Sequence, residues 1–89
     1  MILTYKLDKD LVGRAATQLC WQLKEVKSSV SIMTERIVNA KSLVGILSAQ
    51  LKAGTYIIIA FDYDFETETI KRLFNEVGSE SNELLEQQP

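Results

Sequence analysis

In Val38-Asn39-Ala40-Lys41-Ser42-Leu43-Val44-Gly45 an alternating apolar segment gives way to an apolar helical pattern, and the change of period falls on a serine. Ser42 is placed to cap a helix running from Leu43 to about Leu51, its hydroxyl accepting a backbone N–H two or three residues on, with Gly54 ending the segment. Capping alone would account for a serine there. The apolar residues of that helix, Leu43, Val44, Ile46, Leu47 and Leu51, go nearly all the way round, so it must be covered on more than one side or offer a sticky face.

Downstream of Gly54, Thr55-Tyr56-Ile57-Ile58-Ile59-Ala60-Phe61 is the strongest strand pattern in the chain, β-branched and aromatic. Being apolar on both faces, it is expected to be a central strand, with Ile57, Ile58 and Ile59 together burying both faces. Asp62 or Asp64 can then cap a last helix, in which Glu66 and Glu68 suit the positive N-terminal end and Ile70, Leu73, Phe74 and Val77 form the buried stripe. Gly78 is a natural stop. Residues 79–89 are acidic and polar apart from Leu84-Leu85, and are expected to be a flexible tail after a domain spanning residues 1–78.

Upstream, Val30 to Met33 and Ile37-Val38 flank Thr34-Glu35-Arg36, for which a hairpin is the simplest account, although no Asn-Gly or Asp-Gly marks its turn. From about Gly13 to Lys27, Ala16, Leu19, Cys20 and Leu23 fall at i, i+3, i+4 and i+7 with Val26 beside them, which is a helix with one apolar stripe. Trp21 leaves that stripe for the side of Arg14 and Thr17. It is either a binding anchor of the kind Trp and Arg form at hot spots or a side chain covered by a neighbouring element. Met1 to Leu7 alternates as a half-buried strand. The order is therefore β-α-β-β-α-β-α, an α/β two-layer open-faced sandwich with a four-stranded, mainly antiparallel sheet and three helices on one face. Ferredoxin-like ligand-sensing domains share much of this order.

With 89 residues the chain makes one small domain, and ten basic against twelve acidic residues give it no basic face for nucleic acid. The single cysteine, Cys20, reads as a buried small hydrophobe, and no apolar run approaches a membrane span or signal peptide, so the cytoplasm is the expected address. There is no histidine. No metal-ligand spacing is present, and neither metal nor cofactor is expected.

Val38 to Leu43, followed by Gly45 and then Lys52-Ala53-Gly54, resembles the regulatory-serine segment of HPr, the small phosphocarrier of the bacterial sugar phosphotransferase system. Gly13-Arg14-Ala15-Ala16-Thr17 resembles a reduced form of that family's active-site motif, His-Ala-Arg-Pro-Ala, matched at Arg14 and Ala16. The likeness covers roughly residues 2–77 and separates the fold from ferredoxin-like domains. It implies that Val12 stands where the family's phosphoryl-accepting histidine lies, that Ala15 replaces its proline, and that Ser42 matches a serine phosphorylated by a dedicated kinase in many members. In lacking the histidine the chain is similar to catabolite-repression HPr, which acts through a sugar-responsive transcription repressor. The expected function is non-catalytic: a regulatory or adaptor protein using Arg14, Thr17, Trp21, Lys41, Leu43, Val44 and Leu47 to hold a protein partner, among which a repressor or an HPr kinase is implied by the resemblance. The alternatives are a phosphocarrier using a residue other than histidine, for which Asp8 and Asp10 are the nearest groups, and a ferredoxin-like small-molecule sensor.

Overall fold

The computed structural model describes residues 1–82. Its strands are β1 (Ile2–Leu7), β2 (Val30–Met33), β3 (Ile37–Asn39), β4 (Tyr56–Phe61) and β5 (Gly78–Glu80), and its helices α1 (Gly13–Leu23), α2 (Leu43–Ser48) and α3 (Thr67–Phe74), the last entered through a 3₁₀ turn at Asp64–Glu66. The sheet is antiparallel throughout, in the order β3-β2-β4-β1-β5. Among the described residues, one face packs against the helices and the other is open.

The alternation in β1 and β4 sets which side chains reach the core. Leu3, Tyr5 and Leu7 from β1 and Ile57, Ile59 and Phe61 from β4 are all buried. They meet Ala16, Leu19, Cys20 and Leu23 of α1, Ile46 of α2, and Ile70 and Phe74 of α3, while Leu43 and Leu73 pack at the margin. Burying a Leu or Ile side chain contributes about 1.5–3 kcal/mol, so this single cluster carries the fold. β4 is central as expected, but Ile58 is only half-buried. A two-layer sandwich has helices to cover only one side of its sheet, so the triple isoleucine divides between a dry face and an open one.

The expected four strands become five because Gly78–Glu80 pairs with β1, from Leu7↔Gly78 to Tyr5↔Glu80. Gly78 does not stop a helix; α3 ends at Phe74 with Asn75 as its C-cap. A Cβ on Gly78 would lie 2.4 Å from the carbonyl oxygen of Lys6, so glycine here permits close approach of two backbones. Regular structure thus runs past the expected domain end at residue 78, and the tail beyond residue 82 lies outside the described residues.

Neither Asp62 nor Asp64 caps α3 with its side chain. The Asp62 carboxylate accepts the Ser29 N–H at 2.7 Å, and no side-chain cap closes the 3₁₀ turn or α3. Glu66 is buried rather than facing solvent at a helix start, and accepts the N–H groups of Lys27 and Ser28 at 2.8 and 2.7 Å. It joins the loop before α3 to the loop after α1. Both earlier helices are shorter than the periodicity implies, α1 closing at Leu23 and α2 at Ser48. The Thr34-Glu35-Arg36 turn does link β2 to β3, closed by Thr34 N–H donating to the Arg36 carbonyl at 2.9 Å.

Candidate functional site

α1 and α2 pack side by side and antiparallel. At one end Leu11 N–H donates to the Leu51 carbonyl at 2.8 Å, joining the start of α1 to the segment after α2. At the other, the Cys20 thiol donates to the Lys41 carbonyl at 3.1 Å, joining the end of α1 to the start of α2. Cys20 is buried as expected, and it carries this weak donor contact in addition.

At the first end Val12 is the N-cap residue of α1, in extended conformation and 54% exposed, with no side-chain hydrogen bond to the helix. Gly13 follows with φ +52°, in the left-handed region that glycine enters freely. Arg14 points to the α3 side, lining a cavity of about 170 Å³ with Lys9, Gln18 and Glu76. The Thr17 hydroxyl donates back to the Gly13 carbonyl at 2.9 Å, so it serves the helix before any partner.

At the second end Ser42 caps α2, its Oγ accepting the Gly45 N–H at 3.1 Å. Asn39, which the sequence pattern did not single out, shapes the approach: its Oδ1 accepts the Lys41 N–H at 2.9 Å and its carbonyl accepts the Ser42 N–H at 3.0 Å. This is the local turn chemistry asparagine favours. Lys41 is less available than expected, because its ammonium donates to the Val26 carbonyl at 2.6 Å. That ammonium, with the Lys27 and Ser28 N–H groups and the Ser28 hydroxyl, acts on the Glu66 carboxyl. Burial pushes the carboxyl pKa up, but the combined donors hold it below the usual carboxylate value.

Trp21 lies toward this second end, 66% exposed, with the Lys24 ammonium 5.0 Å from its ring centroid. It is an uncovered aromatic with a cation over its face. From α2, Val44 is 74% and Leu47 42% exposed, while Leu43 turns inward against the core. The expected residues therefore lie on one helical layer but not at one point. Val12 and Arg14 are at the start of α1 and Ser42 is beyond its other end, separated by roughly the 16 Å length of an eleven-residue helix.

The fold is thus an open-faced sandwich with an exposed residue at the N-cap of its first helix and a serine cap on its second. A family profile described as "PTS HPr component phosphorylation site" matches residues 3–77, and the chain belongs to the HPr family of the phosphotransferase system. No curated protein matches it. Among solved structures, the phosphocarrier protein HPr of Bacillus anthracis superposes with a TM-score of 0.73 at 24% identity, over 86% of this chain and 93% of that one. HPr-C-His of Thermoanaerobacter tengcongensis gives 0.71 at 26% identity, over 86% and 88%. A histidine-containing phosphocarrier protein of Mycoplasma gives 0.70 at 24% identity, over 85% and 91%.

Proposed function

We propose that this chain is a regulatory or adaptor member of the HPr family, which holds a protein partner on its α1–α2 layer and accepts no phosphoryl group at the start of α1. The observation that carries this is the apolar exposure of that layer, Val12, Trp21, Val44 and Leu47, in a chain without histidine. Valine offers no lone pair for nucleophilic attack on phosphorus. Among the nearest carboxylates, Asp10 already accepts the Ala53 N–H at 2.8 Å and so holds a loop.

Ser42 is the proposed switch. A phosphate there adds about −1.5 to −2 charges, so a surface read as apolar through Val44 and Leu47 becomes anionic at one end without refolding of the domain. A sugar-responsive transcription repressor and an HPr kinase are the partner classes that fit, and the cytoplasm is the proposed location. Affinity capture followed by calorimetric titration of parent, Ser42→Asp and Ser42→Ala against the captured partner tests the proposal. The expected result is a shift of tenfold or more for Ser42→Asp, which is about 1.4 kcal/mol. Equal affinities for all three leave Ser42 as a cap alone. Acid-labile phosphate appearing on the chain with phosphoenolpyruvate and the upstream enzyme would establish a carrier instead.

A further inference from the structure

The segment that leads from β4 into α3, Asp62-Tyr63-Asp64-Phe65-Glu66-Thr67-Glu68, sets aromatic residues between acidic ones and carries four carboxylates and no basic side chain. Its backbone is anchored. The Tyr63 N–H donates to the Ser28 hydroxyl at 3.0 Å, the Tyr63 carbonyl accepts the Glu66 N–H at 3.1 Å, and the Asp64 carbonyl accepts the Thr67 hydroxyl at 2.7 Å. Asp62 on Ser29, and Glu66 on Lys27 and Ser28, fasten the same turn to the loop after α1.

This frame holds two rings out from the domain. Tyr63 and Phe65 are 46% and 68% exposed and outside the core cluster, yet they stack on each other, with centroids 5.4 Å apart and planes 23° from parallel. Exposed apolar residues scattered singly need no explanation, but two large rings stacked on an anchored turn form a preorganised platform. Stacking occupies one face of each ring and leaves ring surface for a further group.

The surrounding charge selects that group. Asp62 and Glu66 spend their carboxylates on backbone donors, whereas Asp64 lies between the rings in sequence, Glu68 follows four residues on, and both are exposed. Among the described residues the only ion pair joins Lys71 to Glu80, so neither of these two carboxylates is paired with a cation. The Met1 ammonium, at this end of β4, donates to the Phe61 carbonyl at 2.8 Å. Aromatic faces attract cations, and guanidinium is the one that also stacks flat and pairs with a carboxylate. We infer that this turn is a docking site for a basic segment of a partner protein, an arginine of which stacks on Tyr63 or Phe65 and pairs with Asp64. None of these residues belongs to the α1–α2 surface, so loss of either surface leaves the other in place.

NMR titration of the isotope-labelled full chain with a hexa-arginine peptide at low ionic strength, beside hexa-lysine and hexa-glutamate, tests the inference. Saturable shifts are expected in the Tyr63 and Phe65 ring signals and the Asp64 amide, with hexa-lysine binding more weakly and hexa-glutamate not at all. Tyr63→Ser/Phe65→Ser should weaken the arginine peptide about fivefold, and Asp64→Asn should weaken it too. Because the substituted side chains are exposed, Phe74 and the rest of the helix-facing core should keep their signals in both variants. Shifts spread over the surface with the two rings unmoved overturn the inference, as do equal affinities for parent and ring variant or for the arginine and lysine peptides. Ring signals that move on dilution of the chain alone would overturn it as well, by assigning the platform to a second copy.

Discussion

Ser42 holds a backbone donor and occupies the proposed switch position, and two substitutions separate these roles. Ser42→Ala removes the acceptor from the Gly45 N–H and should cost about 0.5–2 kcal/mol in denaturant titration, whereas Ser42→Asp keeps an acceptor and should change stability little. Two other side chains link the stability of the domain to pH. Because the donors around Glu66 hold its folded pKa below the usual value of 4.5, its contribution is complete above that value and is lost as pH falls through the depressed one. Glu66→Gln should therefore flatten the acid limb of stability against pH while lowering stability near neutrality. Tyr5 acts in the opposite sense: burial, then Glu80 and Glu68, push its pKa up to about 12 from 10.0, and its hydroxyl donates to Asn75 Oδ1 at 2.7 Å. Stability from the neutral phenol is complete below the ordinary value and is lost as pH rises through the raised one. Tyr5→Phe should remove that alkaline loss, which unfolding titrations at stepped pH would show.

Among the elements, β4 shows how a periodic pattern is divided by its surroundings. Ile59→Ala empties a fully buried site and should cost about 2–5 kcal/mol, whereas Ile58→Ala on the open face should cost clearly less. Equal losses in urea titration would mean that something covers the open face as thoroughly as the helices cover the other. β5 makes a complementary point. Gly78-Ser79-Glu80 has no apolar alternation, so nothing local marks it as a strand, and its pairing depends on how closely Gly78 approaches Lys6. Gly78→Ala should force those backbones apart, lowering stability by about 1–3 kcal/mol and exposing to hydrogen exchange the Asp8 amide, which donates to the Val77 carbonyl. The stripe of α1 was legible because i, i+3, i+4, i+7 spacing responds directly to burial on one side. Asp62 and Glu66 were not, since a carboxylate near a helix start reads as a cap whether it meets its own helix or a loop some 35 residues away in sequence.

For the whole molecule, motif likeness placed Val12, Arg14 and Ser42 on the α1–α2 layer, but their separation became visible only with the antiparallel packing, because contacts such as Cys20 to Lys41 and Leu11 to Leu51 leave no local signature. The same packing sharpens the test of Val12. This residue is an extended N-cap, more than half exposed, with its carbonyl accepting the Ala16 N–H at 3.4 Å, so a larger side chain projects into solvent without disturbing the core. Val12→His should therefore change stability by no more than about 0.5 kcal/mol. An imidazole of ordinary pKa, about 6.5, would have a free nucleophilic nitrogen at neutral pH, and the positive end of α1 would favour the phosphoryl group once attached. With phosphoenolpyruvate and the upstream enzyme, the parent should take up no acid-labile phosphate and Val12→His a measurable amount, at a rate lowered because Ala15 presets the first turn of α1 less firmly than a proline would. A folded Val12→His protein that stays unmodified would mean that the surface recruiting the upstream enzyme has gone together with the histidine. The double variant Val12→His/Ala15→Pro would then show whether presetting the first turn of α1 is enough to restore it.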